Sequence, residues 1–94
     1  HNAPQLALKR ARDFIQTNYS RNISLEDIGS ASGMSAYHLA RSFRRVTGLT
    51  LHGYVTALRV RRAKQLIGRD TPLSLVALEC GFSSQSHLTR VFSR

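Results

Sequence analysis

Acidic residues are scarce in this 94-residue chain: five Asp and Glu stand against 14 Lys and Arg, a formal net charge of +9. Charge so one-sided disfavours cationic partners and suits a polyanion. The single cysteine excludes an internal disulfide, which is compatible with a reducing cytoplasm. Cys80 falls at an apolar spacing beside Gly81 and reads as a small core residue rather than a redox sensor. Tryptophan is absent and aromatics make up 7% of the chain, too few for a surface that stacks single-stranded bases. No apolar run approaches the ~20 residues of a membrane span, and no signal-peptide core is visible, so no membrane partner is expected. Four scattered histidines and one cysteine form no Cys-x-x-Cys or His-x-x-x-His pair. There is no Gly-x-Ser-x-Gly elbow and no glycine-rich loop after a strand, so neither a metal, a cofactor nor a catalytic centre is expected. Period-two alternation, low-complexity tracts and Gly/Ser linkers are missing too, and the chain reads as all-α.

What is present is a pattern that occurs twice. Leu25, Ile28, Gly33, Met34 and Ser35 return 48 positions later as Leu73, Val76, Gly81, Phe82 and Ser83. His38-Leu39-x-Arg41-x-Phe43-x-Arg45 returns 49 positions later as His87-Leu88-x-Arg90-x-Phe92-x-Arg94, so the second copy carries one inserted residue. Each copy reads as a short amphipathic helix, a glycine turn and a second helix bearing arginine, the outline of a helix-turn-helix. Nearly all the cations are arginine, whose planar fork grips a phosphate or a guanine edge at two points. Glu26, Asp27 and Glu79 lie on the helices that precede the arginine-bearing ones. Units this small bury little surface alone, and a shared linker helix would answer that need.

Local signals place the elements. Pro4 suits a first helical turn, and Leu8, Ala11, Phe14, Ile15 and Tyr19 follow at helical spacing as a packing helix. Ser24-x-x-Asp27 resembles a capping box and opens a helix with Leu25, Ile28 and Ala31 facing inward. Gly33 ends it with positive φ; Ser35 caps the next helix, whose inner face is Leu39, Phe43 and Val46 and whose stop is Thr47-Gly48. The longest helix is expected from Thr50 to Ile67, with a stripe of Leu51, Tyr54, Val55, Leu58, Ala63, Leu66 and Ile67. Thr71 then caps a helix with Pro72 at its first position, where Leu73, Val76 and Ala77 repeat the inward face. Ser83 or Ser84 caps the last helix, which buries Leu88, Val91 and Phe92. The expected division is a first helix-turn-helix subdomain over 1–48, a linker helix over 49–70 and a second subdomain over 71–94.

These residues resemble the DNA-binding domain of the AraC/XylS family of bacterial transcription regulators over nearly the whole chain. Ser24-Leu25-Glu26-Asp27-Ile28, Gly33-Met34-Ser35, His38-Leu39-x-Arg41-x-Phe43 and Thr47-Gly48 look like its first helix-turn-helix. Tyr54-x-x-x-x-Arg59 followed by Ala63-x-x-Leu66-Ile67 is similar to its linker helix. The run from Cys80 to Phe92 is the most specific part. The resemblance implies seven helices arranged as two homeodomain-like three-helix units on one rigid linker, and a module that activates or represses promoters. The family continues into a Gly-x-Thr-Pro-x-x-Tyr-Arg segment and a final helix, and this chain stops before them. The second subdomain is therefore expected to be C-terminally incomplete, leaving Leu88 and Phe92 partly uncovered. The chain, which starts at His1, reads as a fragment of a longer protein whose effector or dimerisation region lies elsewhere, with RNA polymerase a further partner.

Reading a sequence needs side chains that reach base edges from the exposed start of a recognition helix. In the first copy these are Ala36, Tyr37, Ala40 and Arg41, and the resemblance places Tyr37, Ala40 and Arg41 among the base readers. Ala40 reaches no more than a thymine methyl, which leaves Arg41 dominant, on guanine if bidentate. In the second copy Gln85, Ser86, His87, Thr89 and Arg90 occupy the equivalent surface. Gln85 suits adenine, and Arg90 a guanine or a phosphate. Ser35, Arg44, Arg45, Ser84 and Arg94 are the expected phosphate contacts.

Other roles stay open for several of them. Arg41 and Arg90 could each form a salt bridge to the preceding helix, His38 and His87 could orient their helices, and Tyr37 could cover the turn. Arg59 reads as partly buried with an acidic partner in preference to DNA contact, and Arg61 and Arg62 as a solvated face. The function expected is sequence-specific binding of double-stranded DNA by two major-groove helices, in a bacterial transcription regulator. The alternatives are a DNA-targeting module fused to an enzyme and a helical module for protein or RNA. At ~1.5 Å per residue a helix from Thr50 to Ile67 spans roughly 27 Å, which with its flanking turns sets two recognition helices about one DNA turn, ~34 Å, apart. Because the two copies differ where they face DNA, the target should be asymmetric.

Overall fold

The computed structural model describes residues 2–93, and every regular element among them is an α-helix. Their order is α1 (Asn2–Asn18), α2 (Leu25–Ser32), α3 (Ala36–Thr47), α4 (Leu51–Ile67), α5 (Leu73–Cys80) and α6 (Gln85–Phe92). The chain folds into a body 47 × 22 × 18 Å, elongated because its apolar residues gather into two cores instead of one.

The first core joins Leu8, Ala11 and Ile15 of α1, Ile28 of α2, Leu39 and Phe43 of α3, and Leu51 and Val55 of α4. The second joins Ala63 and Leu66 of α4, Val76, Ala77 and Cys80 of α5, Phe82 of the turn and Leu88 of α6. One helix thus serves both cores, its N-terminal half in the first and its C-terminal half in the second. This solves the small-unit problem, since each three-helix group borrows apolar surface from a shared rod. Ile15 and Ala63, 48 positions apart, are both wholly buried. So α4 stands to α5 and α6 as α1 stands to α2 and α3, and the internal repeat is three helices long.

Helix ends follow the local chemistry. The Ser24 hydroxyl accepts from the Asp27 N–H at 3.0 Å while the Asp27 carboxylate accepts from the Ser24 N–H at 3.0 Å, a complete capping box. Hydrogen bonding to the carboxylate from the Ser24 backbone N–H, and secondarily from the Ser24 side chain, holds the Asp27 carboxyl below its ordinary range. Gly33, Gly48 and Gly81 close α2, α3 and α5 in the left-handed region, with φ of 81°, 79° and 89°.

Several expectations are corrected. Leu25 and Leu73 each begin a short helix and lie at its open end; Leu25 remains 45% exposed. Val46 shares the face of Leu39 but sits in the last turn of α3, beyond the core, and is 66% exposed. Ile67 and Phe92 are exposed and Val91 is half-buried, whereas Leu88 is fully covered. α1 is as long as α4, at 17 residues. Pro72 is itself the cap of α5, extended at φ −56° and ψ 139°, and its carbonyl accepts from Leu75 and Val76. Thr71 lies one residue outside.

Candidate nucleic-acid interface

Each glycine turn aims the start of a following helix outward. In the first unit the turn is tight because α2 and α3 nearly touch: a Cβ on Gly29 would lie 2.9 Å from the Met34 carbonyl oxygen and 3.0 Å from the Ala36 nitrogen. Ser35 caps α3 by accepting from the His38 N–H at 3.3 Å, and its hydroxyl lies 2.8 Å from His38 Nδ1. Ser84 caps α6 by accepting from the His87 N–H at 3.1 Å. In both units the helix therefore starts with a satisfied cap and presents one face of its first two turns to solvent.

On α3, Tyr37 is 65% exposed, Arg41, Arg44 and Arg45 are exposed, and Ala40 is half-buried against the first core. Arg41 Nη1 donates to the Tyr37 hydroxyl at 3.1 Å, and its guanidinium carbon lies 5.6 Å from the centre of the Tyr37 ring. The ring holds the cation by its face and its hydroxyl together. Arg41 thus pairs with Tyr37 and not with an acid of the preceding helix. Beside them is an apolar dent of about 330 Å³, lined by Leu25, Ala40 and Leu51 together with Arg41, Arg44 and His52.

On α6, Gln85, Ser86, Thr89 and Arg90 are exposed together. The Thr89 hydroxyl donates to the Gln85 carbonyl at 3.0 Å, which leaves its oxygen free to accept. His87 is half-buried: its ring meets Phe82 edge-on at 5.3 Å, and Nδ1 accepts from the Ser83 N–H at 3.3 Å. That bond leaves the Nε2 edge as the part of the ring with which His87 would meet DNA. Arg94 lies outside the described residues.

Arg59 departs from expectation in its partners. It is partly buried, and Nε donates to the Tyr19 carbonyl at 2.7 Å while Nη2 donates to the Arg21 carbonyl at 3.0 Å. Its acceptors are main-chain oxygens, not an acidic side chain. Burial pulls its pKa below the usual arginine value. Among the described residues the only salt bridge is Lys9 to Asp13, at 2.8 Å on the surface of α1. Cys80 is fully buried, and that burial pushes its thiol up, away from the reactive thiolate.

Leu25, Thr50 and His52 were missed as neighbours of Tyr37, Ala40 and Arg41. Thr50 had a detectable signal, since its hydroxyl accepts from the Gly53 N–H at 2.9 Å as a helix cap does. Leu25 looked like core and His52 carried no pattern at all.

Two capped helices, each projecting from a glycine turn and bearing exposed arginine, define a helix-turn-helix DNA-binding domain. A family model described as a helix-turn-helix domain matches residues 28–94. The multiple antibiotic resistance protein MarA of Escherichia coli is 33% identical over 92 residues, covering 97% of this chain and 72% of MarA. An uncharacterized HTH-type transcriptional regulator of Bacillus subtilis, YbfI, is 35% identical over 85 residues, 90% of this chain and 31% of YbfI. The chain therefore spans about a third of that regulator's length. The crystal structure of an AraC-type transcriptional regulator from Chromobacterium violaceum superposes with a TM-score of 0.85 at 29% identity, over 98% of this chain and 83% of that one. A probable AraC family regulator from Rhodopseudomonas palustris gives 0.79 at 26% identity, over 89% and 81%. The chain belongs to the AraC/XylS family, as the DNA-binding module of a bacterial transcription regulator.

Proposed function

We propose that α3 and α6 enter successive major grooves on one side of a DNA duplex, with Tyr37, Ala40 and Arg41 reading one block of bases and Gln85, Ser86, His87, Thr89 and Arg90 the other. The observation that carries this reading is that two exposed, arginine-bearing helix faces at matched positions of a repeat project from one elongated body. Its 47 Å length leaves room for two reading heads ~34 Å apart. Arg41, held against Tyr37, is pre-positioned for a guanine edge, and the apolar dent beside Ala40 suits a thymine methyl. Ser35 and Ser84, with the helix N-termini they cap, meet phosphate together with Arg44, Arg45 and Arg94. In this reading 1–48 and 71–94 are the two reading subdomains and 49–70 is their spacer.

The module acts in the cytoplasm and without catalysis, inside a longer regulator whose effector or dimerisation region is separate and which meets RNA polymerase at promoters. Support for this comes from relatives described as transcriptional regulators.

Substitution of single arginines tests the assignment of roles. Arg41→Ala should lose roughly 1–3 kcal/mol at the preferred site and little on random duplex. Arg44→Ala should weaken both alike and reduce the salt slope by about 0.9, the share of one neutralised phosphate. Binding curves at two salt concentrations measure both; a uniform loss for Arg41→Ala would remove it from the base readers.

A further inference from the structure

The two cores share α4, and the surface beside it lies open where the units face each other. It is a cleft of about 510 Å³ lined by Ser20, Asn22, Arg59, Leu78, Phe82 and His87, among others. Direct contacts flank it at Arg59 and at Gly81. Arg59 lies midway along α4, between Val55 of the first core and Ala63 of the second. Both of its carbonyl acceptors, Tyr19 and Arg21, belong to the bend that joins α1 to α2.

The turn of the second unit presses on the same place from the other side. A Cβ on Gly81 would lie 2.8 Å from the Tyr19 carbonyl oxygen, 2.9 Å from Arg59 Nε and 3.0 Å from the Ser20 Cα. Its counterpart Gly33 has the same left-handed backbone, yet the nearest atom to a Cβ there is Arg10 Nη1 at 3.8 Å. Glycine at 33 answers to backbone conformation alone. At 81 it also lets one subdomain's turn sit directly on the other's backbone, with Arg59 between them.

We infer that Arg59 is a positioning residue for DNA recognition: by tying the α1–α2 bend to α4 under the Gly81 turn, it fixes the separation and angle of α3 and α6 without touching DNA. A helix alone joins the units along one line, about which they could bend or twist. A contact away from that line removes this freedom. Bonds from a guanidinium to neutral carbonyls are stronger than neutral ones and depend on no acid partner. The lock therefore holds across salt and pH ranges that would loosen a surface ion pair.

The role in recognition rests on both helices engaging DNA, so the test has one arm without DNA. Spin labels at Ser30→Cys and Ser74→Cys, in a Cys80→Ala background, report the distance between the subdomains by pulsed electron resonance. The parent should give one narrow distribution, and Arg59→Ala a broader or displaced one at unchanged helix content. Arg59→Lys, which can still reach one carbonyl, should fall between them and serves in its place if the alanine variant does not fold. Identical distributions in the parent and the variants would overturn the lock. In the second arm the spacing between the two blocks of a selected duplex is changed by one base pair. The parent should lose about tenfold or more in affinity, and Arg59→Ala should lose much less, because its subdomains adjust. A variant as strict about spacing as the parent would overturn the positioning role. A parent indifferent to spacing would overturn the two-helix reading itself, while the distance distributions would still decide whether Arg59 holds the subdomains.

Discussion

The two halves of the repeat carry the same recognition pattern on differently finished cores. In the first, Phe43 is 1% exposed because Leu51 and Val55 of α4 join its core and Tyr54 packs on its ring at 5.5 Å. In the second, the matching Phe92 is 39% exposed, and no element among the described residues covers it in that way. The helix starts differ in the same sense. α2 opens with a complete capping box, while α5 opens on Pro72 with no side-chain bond. The repeat thus keeps the turn, the cap of the recognition helix and the outward arginine. How firmly that helix is seated depends on what each core borrows from its neighbours.

Core substitutions should break the comparison most strongly. Phe43→Ala should cost about 3–5 kcal/mol, in the range for a buried aromatic, and Phe92→Ala clearly less because its ring is partly in water already. Urea unfolding of the two variants measures this, and equal losses would contradict the contrast. A smaller difference is expected on the reading faces. Tyr37→Phe removes the hydroxyl that accepts from Arg41 and keeps the ring, so discrimination at the Arg41 base should fall by about 1 kcal/mol. Binding to duplexes that differ at that base pair would show it. Ser86, which stands where Tyr37 does, has no such bond to Arg90, so Ser86→Ala should leave the Arg90 position unaffected.

The smallest effect concerns pH. Asp27 has its folded pKa lowered from 3.8 by its bonds with Ser24, so its contribution is complete above that value and is lost as pH falls below it through the folded pKa. The matching residue in the second unit is Leu75, which cannot titrate. Amide exchange should therefore show acid fraying at the start of α2 and none of this origin at α5. Fraying of equal size at both would rule out the capping box as its cause.

Much of this was legible because it is local. Gly33, Gly81, Ser35 and Ser24-x-x-Asp27 act through their own backbone, and each behaves as its residue type requires. The exposure of the proposed reading residues was legible for the same reason, since helical spacing alone sends Tyr37, Arg41, Gln85 and Arg90 outward. What could not be read depends on distant neighbours. Nothing near Val46 says that the core ends one turn before it, and nothing near Arg59 shows that its acceptors are carbonyls some 40 positions earlier. The role of α4 as first helix of the second unit was hidden because Ile15 and Ala63 share a place and not a side chain.

On the proposed reading, one chain carries two unlike reading heads held about one DNA turn apart. Hydroxyl-radical footprinting of the monomer on a selected duplex tests it most directly. Two protected patches roughly 10 base pairs apart on one face are expected, over an asymmetric sequence. A single short patch, or a palindromic site that requires two chains, would contradict it.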